Sequence, residues 1–319
     1  MSVLLNNPQF VTIVLGATGG PREENLSAYL LAPVGSSDFI ALDAGTLLTG
    51  IGRAEARGSF DDIPIAQDTQ LSRAGWILQH CIRAYLLSHA HLDHVAGLVL
   101  NSQDDTNKEI LGLSSTIETL RDCLFNGRVW ANFSHEGQGR QIKQYQYRRL
   151  QPGQVYSISG TGLGVEAFSL SHTPHAPSTA FLVQANGLYA LYFGDTQADA
   201  VGKTEELKVV WTRVAPLVRE KKLRGVFLEV SFPEGRSDDM LFGHLTPSWM
   251  LKELRHLAQL ADPAQPEQAL QGLTVVVTHI KLSLERGTMP QEQIAQQLQA
   301  LNDLGVRFII PEQGQRIEF

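Results

Sequence analysis

The chain has 319 residues, of which 43% are hydrophobic and 18% charged, and its formal charge is −7. This composition excludes a disordered chain, and an acidic balance with no Lys/Arg cluster argues against binding to nucleic-acid backbones. The two cysteines, Cys81 and Cys123, stand far apart in no metal-ligand spacing and are expected to be free, buried thiols in a reducing compartment.

Residues 1–8 contain no basic side chain, and the apolar run at 10–15 is too short for a signal segment or a membrane span. A cytoplasmic location without membrane attachment is expected. Residues 10–15 and 26–33 read as strands. Between them lies Gly16-Ala17-Thr18-Gly19-Gly20-Pro21, which lacks the Lys-Ser/Thr ending of a P-loop. It reads as a tight turn, with lining of a pocket as the other reading. A third strand, 38–42, ends in Asp43-Ala44-Gly45-Thr46, and three early strands in close succession predict an antiparallel meander. Residues 50–69 are polar and irregular, the pattern of a surface excursion. Residues 71–81 have apolar positions near helical spacing, and the apolar run 82–87 reads as a buried strand.

Directly after that run comes Ser88-His89-Ala90-His91-Leu92-Asp93-His94. Residues 95–100 then read as a short apolar helix and 116–125 as another. Residues 127–157 mix aromatic and basic side chains and are expected to form a solvated edge rather than a nucleic-acid surface. A strand at 165–170 ends in Ser171-His172. Residues 180–184 and 188–193 form a hairpin across Ala185-Asn186-Gly187, a strong turn signal, and its second strand ends in Gly194-Asp195-Thr196. Helices at 205–221, 247–260 and 291–304 then alternate with strands at 225–230, 273–278 and 306–310, the second of which ends in His279. No fixed-period repeat or long linker occurs, so residues 1–319 are expected to form one domain.

The segment 88–94 concentrates His89, His91, Asp93 and His94. Residues two apart on an extended segment face the same way, so His89 and His91 grip one ion, and the following turn swings Asp93 and His94 toward a second. Without cysteine ligands the pattern departs from structural zinc and favours a catalytic site with an open position. The strand ends add His172, Asp195 and His279. His89/His91/His172/Asp195 then make one site and Asp93/His94/Asp195/His279 its neighbour, with Asp195 shared through its two oxygens. His172 is preferred to His175 because it follows the strand directly. His80, His135 and His256 are expected to be surface or structural histidines.

Residues 88–94 with the preceding strand resemble the metallo-β-lactamase superfamily. The longer run from His89 to Ser102 is similar to a narrower branch, the class II cyclic nucleotide phosphodiesterases. So are Phe193-Gly194-Asp195-Thr196, Phe227-Leu228-Glu229-Val230-Ser231-Phe232 and Phe242-Gly243-His244-Leu245-Thr246-Pro247. The resemblance runs from about Thr12 to the C-terminus in the family's order, and Gln103 is its one departure, outside the ligand set.

The resemblance implies an α/β fold, a four-layer αβ/βα sandwich of two mixed sheets flanked by helices. It implies two divalent metal ions, zinc first with manganese or iron as alternatives, and a small-molecule cyclic nucleotide as substrate. The implied reaction is hydrolysis of 3′,5′-cyclic AMP or cyclic GMP to the 5′-monophosphate by a water that the metals activate and Asp93 orients. By likeness to ribonuclease Z of the same superfamily, His244 is the expected general acid or phosphate-binding group, oriented by Glu229. Ser102 is expected to cap a helix rather than touch substrate. The competing readings are a ribonuclease Z-like nuclease, a lactonase or β-lactamase, and a non-catalytic sensor of the same fold. The base preference and the oligomeric state, a homodimer included, stay open at this point.

Overall fold

The computed structural model describes residues 8–319, so the reading of residues 1–7 as free of a signal segment lies outside it. Strand β1 (Phe10–Gly16) is buried on both faces. Val11, Ile13 and Leu15 enter one core while Phe10 and Val14 enter another, the period of two that a strand imposes. It is followed by β2 (Ala28–Pro33), β3 (Phe39–Leu42) and helix α1 (Leu48–Ala56). Helix α2 (Arg73–Trp76) continues through a π-helical turn, Ile77–Cys81, into β4 (Ile82–Leu86). Helix α3 (Leu92–Asn101), β5 (Lys108–Gly112), helix α4 (Ser114–Thr119) and β6 (Tyr145–Arg149) complete the first half.

The second half opens with antiparallel strands, β7 (Val155–Ile158), β8 (Leu163–Thr173), β9 (Ala176–Ala185) and β10 (Leu188–Phe193). Asn186 and Gly187 join β9 to β10 with φ of 52° and 76°, the two left-handed positions of a tight hairpin turn. Helices α5 (Asp199–Gly202) and α6 (Glu206–Arg219) lead to β11 (Leu223–Glu229). Helices α7 (Pro247–Ala261) and α8 (Pro266–Ala269) lead to β12 (Thr274–Thr278), and α9 (Pro290–Leu301) leads to β13 (Arg307–Ile309) and β14 (Arg316–Glu318). Helix α7 starts on Pro247, where a missing N–H costs nothing. It buries Met250, Leu251, Leu254, Leu257, Ala258 and Ala261 along one stripe.

The strands form two seven-stranded mixed sheets, ordered β14-β1-β2-β3-β4-β5-β6 and β13-β12-β11-β10-β9-β8-β7. Residues such as Tyr29, Leu31, Phe181, Tyr192 and Phe227 fill the space between the sheets. The helices cover both outer faces: Ile51, Val95, Leu98 and Ile117 pack on the first sheet, and Trp211, Leu254 and Leu298 on the second. The result is the expected four-layer α/β sandwich. No helix among the described residues is long and apolar enough to cross a membrane.

Several elements differ from the sequence reading. The stretch 50–69 is not irregular throughout, because α1 occupies its start and buries Gly50, Ile51 and Ala54. Its glycines hid the pattern, and Gly50 is a packing residue: a Cβ there would lie 2.2 Å from the carbonyl oxygen of Leu15. Cys123 is exposed rather than buried. Strands β5 and β14 went unseen. The mixed segment 127–157 supplies the edge strand β6, which turns Tyr145 fully inward. Strand β8 does not end before His172 but runs on to Thr173 through a register irregularity after Leu170. Such a bulge re-aims a side chain without ending the strand.

Candidate metal centre

The centre forms where strands of both sheets emerge. His89 and His91 lie on the segment leaving β4, and Asp93 and His94 on the first turn of α3. His172 comes from the bulged end of β8, Asp195 follows β10, Glu229 closes β11 and His279 follows β12. All seven ligand-type residues read from the sequence come together. His89, His91, His172 and Asp195 offer donor atoms within 4.8 Å of one another, and so do Asp93, His94 and His279. Asp195 stands between the groups: its Oδ1 is 3.3 Å from His94 Nε2, and its Oδ2 is 3.7 Å from His89 Nε2 and 3.2 Å from His279 Nε2. His244 adds a third group with Asp195 and His279.

The donor chemistry fits cations in this space. His94 Nε2 and Asp195 Oδ1 are buried with no hydrogen-bond partner, a costly state unless another group occupies the space between them. His89 Nε2 faces His91 Nδ1 at 2.9 Å and His172 Nε2 faces the same nitrogen at 3.4 Å, so three imidazoles point lone pairs at one spot. Burial lowers the pKa of His89 and His91, and pushes His172 down to about 4. The neutral imidazoles that a metal needs are therefore favoured on that side. Burial also opposes charge on His94, yet Asp195 and Asp43 outweigh it and raise its pKa.

The supporting residues explain the geometry. Asp43, which follows β3 with φ of 56°, is fully buried. It accepts from Ser88 N and Ser88 Oγ, each at 2.7 Å, from His94 Nδ1 at 2.7 Å and from Tyr192 OH at 2.6 Å. Sequence reasoning assigned it no role. The only signal was an Asp placed where an apolar strand ends, the same signal that found Asp195. Holding the Nδ1 proton of His94 aims its Nε2 into the centre. His279 also sits at positive φ, 57°, and a Cβ on Gly19 would come within 2.2 Å of its ring. The glycine lets the 16–21 loop lie against that ligand face, so the loop packs on the centre as well as turning the chain.

His244 follows the same logic. Its Nδ1 donates to Glu229 Oε1 at 2.7 Å, and Glu229 also accepts from Thr196 N at 3.0 Å and Ser231 Oγ at 2.6 Å. Burial works against charge on both, but their attraction prevails, raising the pKa of His244 and lowering that of Glu229. Asp93, the least covered carboxylate with 22% of its side chain exposed, is also held far below the carboxylate range. Burial alone would raise it; the His279 hydrogen bond and the charge of His94 prevail.

Other sites fall outside the centre. Ser102 donates to Val99 O at 2.7 Å and accepts from Trp130 Nε1 at 3.0 Å, so it holds the end of α3. His175 and His256 are exposed, His80 stacks on Trp76, and His135 Nδ1 accepts from Tyr147 N.

This sandwich with its seam of histidines and carboxylates defines a metallo-β-lactamase fold. The structure superposes on the metallo-β-lactamase fold protein YhfI from Bacillus subtilis with a TM-score of 0.60 at 15% identity, over 98% of this chain and 100% of that one. Unliganded yeast PDE1 matches with a TM-score of 0.84 at 24% identity, again over 98% and 100%. Within the fold, the model of the class-II cAMP phosphodiesterases matches residues 7–314, and the chain belongs to that family. A probable 3′,5′-cyclic-nucleotide phosphodiesterase of Yersinia pestis is 41% identical over 99% of this chain and 91% of its own length.

Proposed function

We propose that the chain hydrolyses the phosphodiester of 3′,5′-cyclic nucleotides, cyclic AMP first among them, to 5′-monophosphates. The observation that carries this reading is the His244–Glu229 pair, joined at 2.7 Å beside the ligand cluster, in a chain of the class-II family. His89, His91, His172 and Asp195 would hold one divalent cation, and Asp93, His94, Asp195 and His279 the other. Zinc suits this imidazole-rich set best. Such cations lower the pKa of a bound water and offset charge on the phosphate.

The remaining steps belong to the chain's own side chains. With Nδ1 committed to Glu229, His244 keeps Nε2 for the substrate and donates its proton to the departing 3′ oxygen. The water oxygen forms the new bond to phosphorus as the bond to the 3′ oxygen breaks. Asp93 orients that water by accepting a hydrogen bond on a carboxylate that stays ionised, its pKa lowered, against the effect of burial, by the His279 hydrogen bond and the charge of His94. The proton lost by the water leaves through Asp93's exposed edge.

The test is turnover of cyclic AMP, cyclic GMP, a bis-aryl phosphodiester and a lactone, each with zinc, with manganese and after verified metal removal. Metal-dependent turnover of a cyclic nucleotide is expected. Hydrolysis of the lactone with none of either cyclic nucleotide would overturn the reading.

A further inference from the structure

Lys281 lies two residues beyond His279, on the segment that leaves β12. Its backbone is pinned, because Lys281 N donates to Ser231 O at 3.0 Å. Ser231 is the residue whose hydroxyl lies between Glu229 and His279 Nδ1. The preceding residue, Ile280, bridges to Thr18 of the loop that packs on the centre. Lys281 is thus fixed at the mouth of the site by the same residues that fix a ligand and the general acid. Its side chain is half-buried, and its ammonium has neither a carboxylate nor another hydrogen-bond partner among the described residues. Ser231 N in turn donates to Leu245 O at 3.1 Å, so a single residue separates the backbone of Lys281 from the segment that carries His244.

A half-buried cation without a partner is held at some cost in solvation. Lys108, the more deeply buried lysine, is bonded to Asp105 and to the carbonyl of Leu78. The charges in the centre leave a task for a free cation. Asp43, Asp93, Asp195 and Glu229 would balance two divalent cations, and a protonated His244 would then offset one negative charge of the substrate but not the larger charge of the product. A cyclic diester brings one negative charge, and its monoester product carries about −1.5 to −2 at neutral pH.

We propose that Lys281 is a substrate-binding residue whose ammonium holds a phosphate oxygen beside His244, on the side away from the first metal group. The assignment rests on the phosphodiesterase reading for its substrate, though not for its affinity for phosphate. Because the phosphate's charge grows along the reaction, the contact strengthens from substrate to product and also governs product retention.

The experiment is calorimetric titration of inorganic phosphate and of 5′-AMP into metal-loaded wild-type protein and into Lys281→Met and Lys281→Arg, with metal content measured in parallel. A charge-assisted hydrogen bond of the usual strength predicts roughly 10- to 100-fold weaker phosphate binding in Lys281→Met, with wild-type metal content. Lys281→Arg keeps a cation and should stay within about threefold, since arginine also pairs with phosphate. Three results would each overturn the proposal: phosphate affinity unchanged in Lys281→Met, an equal loss in the Arg variant, or a loss of bound metal alongside phosphate. Phosphate binding that depends on Lys281 in a protein that turns over no cyclic nucleotide would sink the proposed activity and leave this assignment standing.

Discussion

Asp43→Asn is the sharpest test of how the centre is held. The change keeps the side chain's shape and removes its charge. Three donors converge on Oδ2, namely Ser88 Oγ, His94 Nδ1 and Tyr192 OH, while Oδ1 takes Ser88 N. An amide has one oxygen to offer, and its NH2 must face a donor whichever way it is placed. Turned toward Ser88 N, it orphans a buried backbone N–H that cannot rotate away. Turned toward His94, it forces that ring to accept through Nδ1 and to carry its proton on Nε2, the nitrogen aimed at the centre. Breaking a buried, hydrogen-bonded charge network of this kind costs roughly 3–5 kcal/mol. Losing the partner that orients a metal-binding histidine weakens metal affinity by roughly 10- to 100-fold. Urea denaturation of chelator-treated protein reads the first number without interference from metal, and zinc competition reads the second. An Asp43→Asn protein within about 1 kcal/mol of wild type that binds both metals normally would refute the orienting role.

His244→Ala should lower kcat by roughly 10²–10⁴, the range for losing a general acid, with metal content unchanged; near-wild-type turnover would remove His244 from the proton transfer. Glu229→Gln should move the alkaline limb of the kcat profile to lower pH. His244 must be protonated to act, its pKa is raised chiefly by Glu229 and further by Asp195, and Lys281 opposes them. A limb that stays in place or moves upward would show that another group controls it. Lys108→Met should destabilise the fold by roughly 3–5 kcal/mol, because it strands the buried Asp105 carboxylate that also accepts from Tyr85 and Tyr145. Equilibrium unfolding measures this, and a loss below about 1 kcal/mol would mean that the two tyrosines suffice.

What could be read from the sequence depended on how local its cause was. The Asn186-Gly187 turn, the stripe of α7 and the apolar runs before His89, Asp195 and His279 follow from period and turn chemistry within a few residues. The role of Asp43 does not, because its partners Ser88, His94 and Tyr192 lie 45, 51 and 149 residues away and meet only when the two sheets pack. The same holds for Gly19 and Gly50, which look like ordinary turn or loop glycines until a histidine ring or a strand carbonyl presses on them. Strands β5 and β14 are five and three residues long, and β5 opens on a lysine. Their pairing comes from neighbours rather than from a pattern of their own.

The division of ligands between the sheets bears on stability as well as catalysis. His89, His91, Asp93 and His94 extend from the first sheet, while His172, Asp195 and His279 extend from the second. The inter-sheet core reaches this edge as Tyr192, whose hydroxyl crosses to Asp43, and the apolar packing ends there. At the seam itself the sheets meet chiefly through imidazoles and carboxylates, including the unpartnered pair His94 Nε2 and Asp195 Oδ1. Cations bound across that seam would join the sheets where hydrophobic packing no longer does. Their binding would stabilise the folded state by an amount that grows with the logarithm of free metal over its dissociation constant. On this argument chelation costs the protein stability before any substrate is added, and the loss is smallest in variants of Asp195, whose two oxygens lie against both ligand groups and whose removal weakens metal binding most.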